Sequence, residues 1–160
     1  MTDELQPRPG ISLRPATDAD VEALFAIRTS VTENHMSRAG LARIGVTPSS
    51  VARMLRTNSA AWLAEANGEP VAFSMANAAE ETVFAMFVRP GYEGLGLGRG
   101  LMSCAEEWLF ERGAPEIWLT TGGDSALRAH GFYRHLGWEE SGRTQDGQTK
   151  YVRRPEQPRP

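Results

Sequence analysis

Gly94, Gly96, Gly98 and Gly100 alternate with Leu95, Leu97 and Arg99 directly after the apolar run Thr82 to Val88, and a helical apolar stripe starts where they end. Alternate glycines between a strand and a helix suit a diphosphate. Without a Cβ the backbone reaches left-handed dihedrals and approaches an anion closely. The first N–H groups of the helix that follows lack intrahelical acceptors and lie at the positive end of its dipole, so phosphate oxygens are stabilised there with few lysines. The spacing excludes two other phosphate binders. The dinucleotide fingerprint needs glycines at relative positions 1, 3 and 6, yet counting from Gly94 or Gly96 the sixth place holds Arg99 or Leu101. A nucleoside triphosphate loop needs Gly-Lys before Ser or Thr, and Lys150 lies far from the turn.

The stretch from Val88 to Leu101 resembles motif A of the GCN5-related N-acetyltransferase (GNAT) superfamily, Val-x-Pro-x-x-Gln/Arg-Gly-x-Gly-x-Gly/Ala-x-x-Leu. The resemblance implies a site for acetyl-coenzyme A as acyl donor. Its pyrophosphate would lie on Gly94, Leu95, Gly96, Leu97, Gly98, Arg99 and Gly100, and its pantetheine arm would pair like an added strand with Met86, Phe87 and Val88. Glu93 departs from the pattern. A carboxylate beside a pyrophosphate is unfavourable unless it turns away.

A second stretch, Ala126 to Trp138, resembles motif B of the same superfamily, Asn-x-x-Ala-x-x-Phe-Tyr-x-x-x-Gly-Phe. Ala129, Phe132, Tyr133 and Gly137 match in register, Trp138 replaces Phe, and Ala126 stands in place of Asn. The resemblance makes Tyr133 the catalytic residue, a phenol near the sulfur that protonates the departing thiolate. Taken by itself, a Phe-Tyr pair reads as core aromatics with a satisfied hydroxyl, and the two motifs in the right order turn that into a cofactor-adjacent tyrosine. The implied reaction is direct acetyl transfer to a small-molecule or peptide amine, with the oxyanion held by a backbone N–H at the strand end. Many relatives carry an acidic base on that strand, where this chain has Phe84 and Ala85. Glu33, Glu80, Glu81 and His35 are the remaining base candidates, and Arg28, Glu33, Asn34 and His35 the candidate acceptor contacts. With the strand carboxylate and the Asn both missing, a coenzyme A-binding sensor without turnover is the alternative reading. Arg99 and Arg134 are further candidates for phosphate pairing.

Other chemistries lack their residues. His130 and His135 do not share a helix face, and no carboxylate or cysteine completes a metal set, so no metal is expected. Asp124, Ser125 and His130 contain triad residue types without a Gly-x-Ser-x-Gly turn. The 160 residues suit one domain, and a net charge of -3 gives no overall attraction to nucleic acid or anionic membrane. No nucleic-acid or membrane partner is expected. One cysteine, Cys104, precludes an internal disulfide, and the acidic start lacks the character of a secretory signal, so the expected location is cytoplasmic. Homodimers are common in the superfamily, which leaves a dimer open.

The elements that must position these residues are legible in outline. Residues 1–9 and 154–160 are Pro-rich and polar and read as flexible tails around a domain spanning 10–153. Ile11 and Leu13 alternate as a strand; Thr17 and Asp20 form a capping box for a helix to about Ser30; Thr47 and Pro48 start a second helix. Ala61–Ala66 and Pro70–Asn77 read as a hairpin turning at Asn67-Gly68, and Thr82–Val88 as a central strand covered on both faces. Leu97, Leu101, Cys104, Ala105 and Trp108 recur at helical spacing, which makes Cys104 core. A strand over Glu116–Thr121, a helix over Ser125–Leu136 and a closing hairpin at Asp146-Gly147 follow. The predicted order β, α, α, β, β, β, α, β, α, β, β is that of the superfamily. It implies an α/β fold with a mixed, mostly antiparallel central sheet flanked by helices.

Overall fold

The polar–apolar alternation around Leu13 builds β1 (Ile11–Pro15), which pairs antiparallel with β2 (Ser59–Ala66) in a computed structural model that describes residues 10–32, 35–121 and 127–155. β2 turns into β3 (Glu69–Asn77) through Asn67 at φ 51° and Gly68 at φ 86°, the paired left-handed dihedrals of a tight hairpin. β4 (Thr82–Val88), β5 (Ile117–Thr121), β6 (Glu139–Arg143) and β7 (Thr149–Arg153) complete one sheet of order β1-β2-β3-β4-β5-β7-β6. All pairs are antiparallel except β4 with β5.

Helices cover both faces. α1 (Val21–Arg28), α2 (Arg38–Arg43) and α3 (Pro48–Arg56) lie on one face, where Leu24, Phe25, Ile27 and Leu41 pack with Leu63 and Phe73. α4 (Leu97–Glu111) and α5 (Leu127–His135) lie on the other, with Leu101, Met102, Ala105 and Leu109 at its core. A 3-10 turn at Asp18–Asp20 precedes α1, capped by Thr17 and Asp20 reciprocally. α2 was not expected from the sequence. Six residues with Gly40 among them cannot nucleate a helix alone. The Ser37 hydroxyl accepts from the Gly40 N–H at 3.1 Å, Leu41 is buried, and Arg38 stacks 4.6 Å over Phe25 while pairing with Glu22 at 2.8 Å. Tertiary contact holds it.

Two further expectations are corrected. β4 is central, but Phe84 is 42% exposed and residues 85–88 are half-buried. Met75 pairs with Ala85 and Ala76 with Val83, so Phe84 is the extra residue of a bulge, and the strand beyond it borders a cleft. In α4 the buried stripe runs through Met102, Ala105, Glu106 and Leu109, which leaves Cys104 and Trp108 half-buried.

Arg14 ties β1 to α1 through paired bonds to Asp20, both 2.9 Å, and to β2 through Glu65 at 3.2 Å. The bonds from Arg14 hold the Asp20 carboxyl down to about 2, from its usual 3.8. A depressed acid stabilises the fold above its unfolded pKa and loses that stabilisation as pH falls towards the folded one. The unfolding free energy of the wild type should therefore drop between about pH 4 and pH 2 more steeply than that of Asp20→Asn, as read from urea titrations across that range.

Candidate active site

Thr82 opens β4 with its hydroxyl donating to the Trp118 carbonyl at 2.6 Å, while the Trp118 N–H donates to the Glu81 carbonyl at 3.2 Å. Thr82 with Trp118 is the one registered pair between β4 and β5 among the described residues. Beyond it the two strands part. On its other side β4 stays bonded to β3, where the Arg89 N–H donates to Val71 at 2.8 Å. In an antiparallel ladder, peptide groups alternate between the two edges, so those of Phe87 face β3 and those of Met86 and Val88 face the gap. The parted strands thus present strand-pairing groups to whatever enters.

The gap continues into a cleft of about 990 Å³. One end is the glycine turn. Gly94 (φ 78°) and Gly96 (φ 81°) are left-handed, with nothing within 4 Å of where a Cβ would stand, and Gly96 is the N-cap of α4. The Gly100 N–H already donates to the Gly96 carbonyl at 3.2 Å, so the donors of the helix's first turn lie ahead of it. Gly98 and Gly100 serve a different end from Gly94 and Gly96. A Cβ at Gly98 would meet Phe132 Cζ at 3.0 Å and Met86 Cε at 3.3 Å, and one at Gly100 would meet Leu13 Cδ1 at 2.7 Å. They let α4 press against α5 and β1. Of the residues assigned to the cofactor, Met86, Phe87, Val88, Gly94, Gly96, Leu97, Gly98 and Arg99 line the cleft. Leu95 instead packs half-buried against the core, and Gly100 is buried behind it. Glu93 folds back on its own loop, its carboxylate accepting from the Gly91 N–H at 2.9 Å.

Phe132, wedged beside Gly98 and Met86, carries its neighbour Tyr133 onto the opposite wall with Thr120 and Thr121 of β5. The Tyr133 ring packs against Phe132 (5.1 Å between centroids), Tyr151 (6.0 Å) and Trp138 (6.4 Å). Burial among these rings pushes its hydroxyl up to about 12, so the phenol keeps its proton across the neutral range. Behind it, the Trp138 indole N–H donates to Glu106 at 2.9 Å, and Glu106 (1% exposed) pairs with Arg153, whose guanidinium donates to the Leu136 carbonyl at 2.7 Å. This buried network joins α4, the end of α5 and β7. It was missed at the sequence level, although a carboxylate four residues after Met102 on an apolar helix face is the signal that marks it.

On the α1 side the cleft is lined by Arg28, Met36, Leu41, Ile44, Phe73 and Phe87. Arg28, the last residue of α1, lies with its guanidinium 4.4 Å over the Phe87 ring, and partial burial lowers its pKa. Among the other acceptor and base candidates, Glu33 and Asn34 lie outside the described residues, as do Asp124, Ser125 and Ala126. His35 is exposed, its Nδ1 3.0 Å from the Val31 carbonyl, and does not line the cleft. Glu80 and Glu81 form the turn before β4 and support Trp118 through their carbonyls. Six residues of extended chain from Glu81 to Phe87 span about 20 Å, too far for either carboxylate to act as base there. Arg134 pairs with Glu140 at 3.2 Å, away from the cleft.

The model of the acetyltransferase (GNAT) family matches residues 28–138, from the end of α1 through α5. The chain belongs to that family. Its members' activity is acyl transfer from acetyl-coenzyme A, and this chain is an acyltransferase of that class. Similar solved structures include the PaiA N-acetyltransferase of Thermoplasma acidophilum in complex with coenzyme A (14% identity, TM-score 0.74, 90% of this chain and 98% of that one). A putative acetyltransferase of Salmonella typhimurium, yncA, with acetyl-CoA is similar at 17% identity and TM-score 0.73, over 91% of this chain and 94% of that one. The ribosomal-protein-S18-alanine N-acetyltransferase of Escherichia coli is similar at 20% identity and TM-score 0.66, over 89% and 90%. No curated protein sequence matches this GNAT chain. No helix among its described residues is long and apolar enough to cross a membrane, and no cluster of three metal-ligating side chains occurs among them.

Proposed function

We infer that this protein moves the acetyl group of acetyl-coenzyme A directly to the nitrogen of a small-molecule or peptide amine, with Tyr133 assisting the leaving thiolate. One observation carries the reading: β4 and β5 part after Thr82, and the edge at Met86 and Val88, unpaired among the described residues, runs straight into a left-handed glycine turn at a helix N-terminus. An extended amide-bearing arm pairs with the edge and its diphosphate meets the turn. The amine nitrogen attacks the thioester carbon, the carbonyl oxygen accepts from a β4 backbone N–H, the C–S bond breaks, and the nitrogen loses one proton while the thiolate gains one. A thiol near 8.5 is a far stronger acid than a phenol at about 12. Tyr133 thus acts chiefly by donating a hydrogen bond to sulfur as charge develops, with complete proton transfer coupled to loss of the proton from nitrogen.

Direct transfer is supported by the state of Cys104, the one cysteine. It does not line the cleft, and burial raises its thiol pKa, so it is a poor acyl acceptor. The test is thiol release from acetyl-coenzyme A with a panel of amines, together with the mass of the acetylated product. Coenzyme A binding without turnover of any amine would replace this reading with that of a sensor, and acetylated protein accumulating without amine would replace direct transfer.

Gly96→Ala checks the turn separately. A left-handed alanine costs about 1–2 kcal/mol, which appears as about fivefold to thirtyfold weaker coenzyme A binding if the turn relaxes, or as lost stability if it does not. Calorimetric titration and thermal melting together should recover that cost in one or the other.

A further inference from the structure

Among the described residues two large apolar side chains are exposed, Phe84 (42%) and Ile44 (65%), and both line the cleft. Apolar side chains scattered singly over a surface need no explanation, whereas two that open into one cavity mark it as a place for an apolar group. From them we infer that the acceptor is a primary amine carrying an aromatic ring on a short linker, with the ring seated on Phe84. This rests on the acetyl-transfer reading and names its acceptor class.

The exposure of Phe84 is built into the backbone. Val83 registers with Ala76 and packs in the core beneath α4, Ala85 registers with Met75 and packs beneath α1, and the bulge leaves Phe84 between them at the opening. Other rings of the cleft are already engaged. Phe87 lies under the Arg28 guanidinium at 4.4 Å and against Phe73 at 5.7 Å, and Phe132 packs on Tyr133 at 5.1 Å. Position along β4 then assigns Phe84 to the acceptor. A donor with its diphosphate at the glycine turn runs back along Val88 and Met86, so its thioester end is directed towards Ala85 and Phe84. Phe84 stands two residues beyond Met86, about 7 Å along an extended strand, and a ring joined to nitrogen through two carbons bridges from one to the other.

The experiment compares kcat/KM for 2-phenylethylamine with that for 2-methoxyethylamine in the wild type, Phe84→Leu and Phe84→Ala. The methoxy compound has the more readily deprotonated nitrogen, so a preference for the aromatic amine runs against intrinsic availability of the nucleophile. The wild type is expected to favour 2-phenylethylamine by about 30-fold, the size of burying one ring. Phe84→Ala should lower that ratio by about tenfold, and Phe84→Leu, which keeps an apolar surface without a ring to stack on, should fall between the two. A wild-type ratio within about threefold of unity, or a Phe84→Ala ratio equal to that of the wild type, would overturn the inference. A merely structural Phe84 lowers both rates and leaves the ratio unchanged, and a Phe84 that contacts the acyl group alters the preference between acetyl- and butyryl-coenzyme A instead; either result overturns it. If no amine is turned over, the transferase reading fails by itself. The aromatic site is then decided by calorimetric titration of 2-phenylethylamine into the protein saturated with coenzyme A, with binding weakened in Phe84→Ala supporting it, and no binding to the wild type or equal binding to both overturning it.

Discussion

Tyr133→Phe lowers kcat by about 10²-fold while coenzyme A affinity and melting temperature stay close to wild type. The size is that of one lost proton donor at a reacting atom, for which about 10²- to 10⁴-fold is typical. The lower end applies because the phenol acts more through a hydrogen bond than through full transfer. Stability is spared because phenylalanine keeps the ring contacts with Phe132, Trp138 and Tyr151, and the hydroxyl has no hydrogen-bond partner among the described residues. A pH profile separates this role from that of a base. A donor works in its protonated form, below its pKa, and that pKa is pushed up to about 12. Rates with wild-type protein should therefore show no descending limb from Tyr133 between pH 7 and 10. An unchanged kcat in the variant, or a rate that rises with pH in the wild type but not in the variant, would remove Tyr133 from this role.

Glu106→Ala is expected to be the most destabilising single change, by about 3–5 kcal/mol, because it leaves the Arg153 guanidinium buried opposite a void. For a chain of this size that corresponds to a melting temperature lower by on the order of 10 °C. Three elements loosen together. Trp138 loses its acceptor, and the ring it presents to Tyr133 loses the bond that orients it. Glu106→Gln retains an acceptor for Trp138 without neutralising Arg153, so its loss should fall between wild type and alanine. Urea titration of the three proteins checks the order. Equal stability of wild type and Glu106→Ala would mean that water or rearranged side chains satisfy Arg153 as well as the carboxylate does.

Legibility of the fold followed the range of the interactions. The Asn67-Gly68 hairpin, the Thr17 capping box, the Pro48 helix start and the bounds of β4 are decided by dihedral preferences and hydrogen bonds within a few residues, and each stands where it was expected. α2 escaped because its stability comes from Leu41 and from Arg38 lying on Phe25, contacts invisible to propensity. The helix stripe assigned to Cys104 and Trp108 was misplaced for a related reason. A helix face is chosen by what packs against it, and Glu106 belongs to the buried face because Arg153 arrives there from the far end of the chain.

The candidate site divides the same way. The glycines at 94 and 96 announced their left-handed turn through their own missing Cβ atoms, and the Phe-Tyr pair at 132 and 133 announced an aromatic wall. Nothing local distinguishes Gly98 and Gly100, whose purpose is close approach to Phe132, Met86 and Leu13, from Gly94 and Gly96, whose purpose is backbone conformation. Likewise Arg28, His35, Glu80 and Glu81 were equivalent as polar residues near apolar elements. Only the path of the chain puts Arg28 over Phe87 and the two glutamates at the opposite end of β4. Short-range sterics and hydrogen bonding wrote the left-handed glycine turn into the amino-acid order. The parting of β4 from β5, the buried support behind Tyr133 and the apolar wall around Arg28 depend on residues brought together from distant positions, and tertiary packing alone decided them.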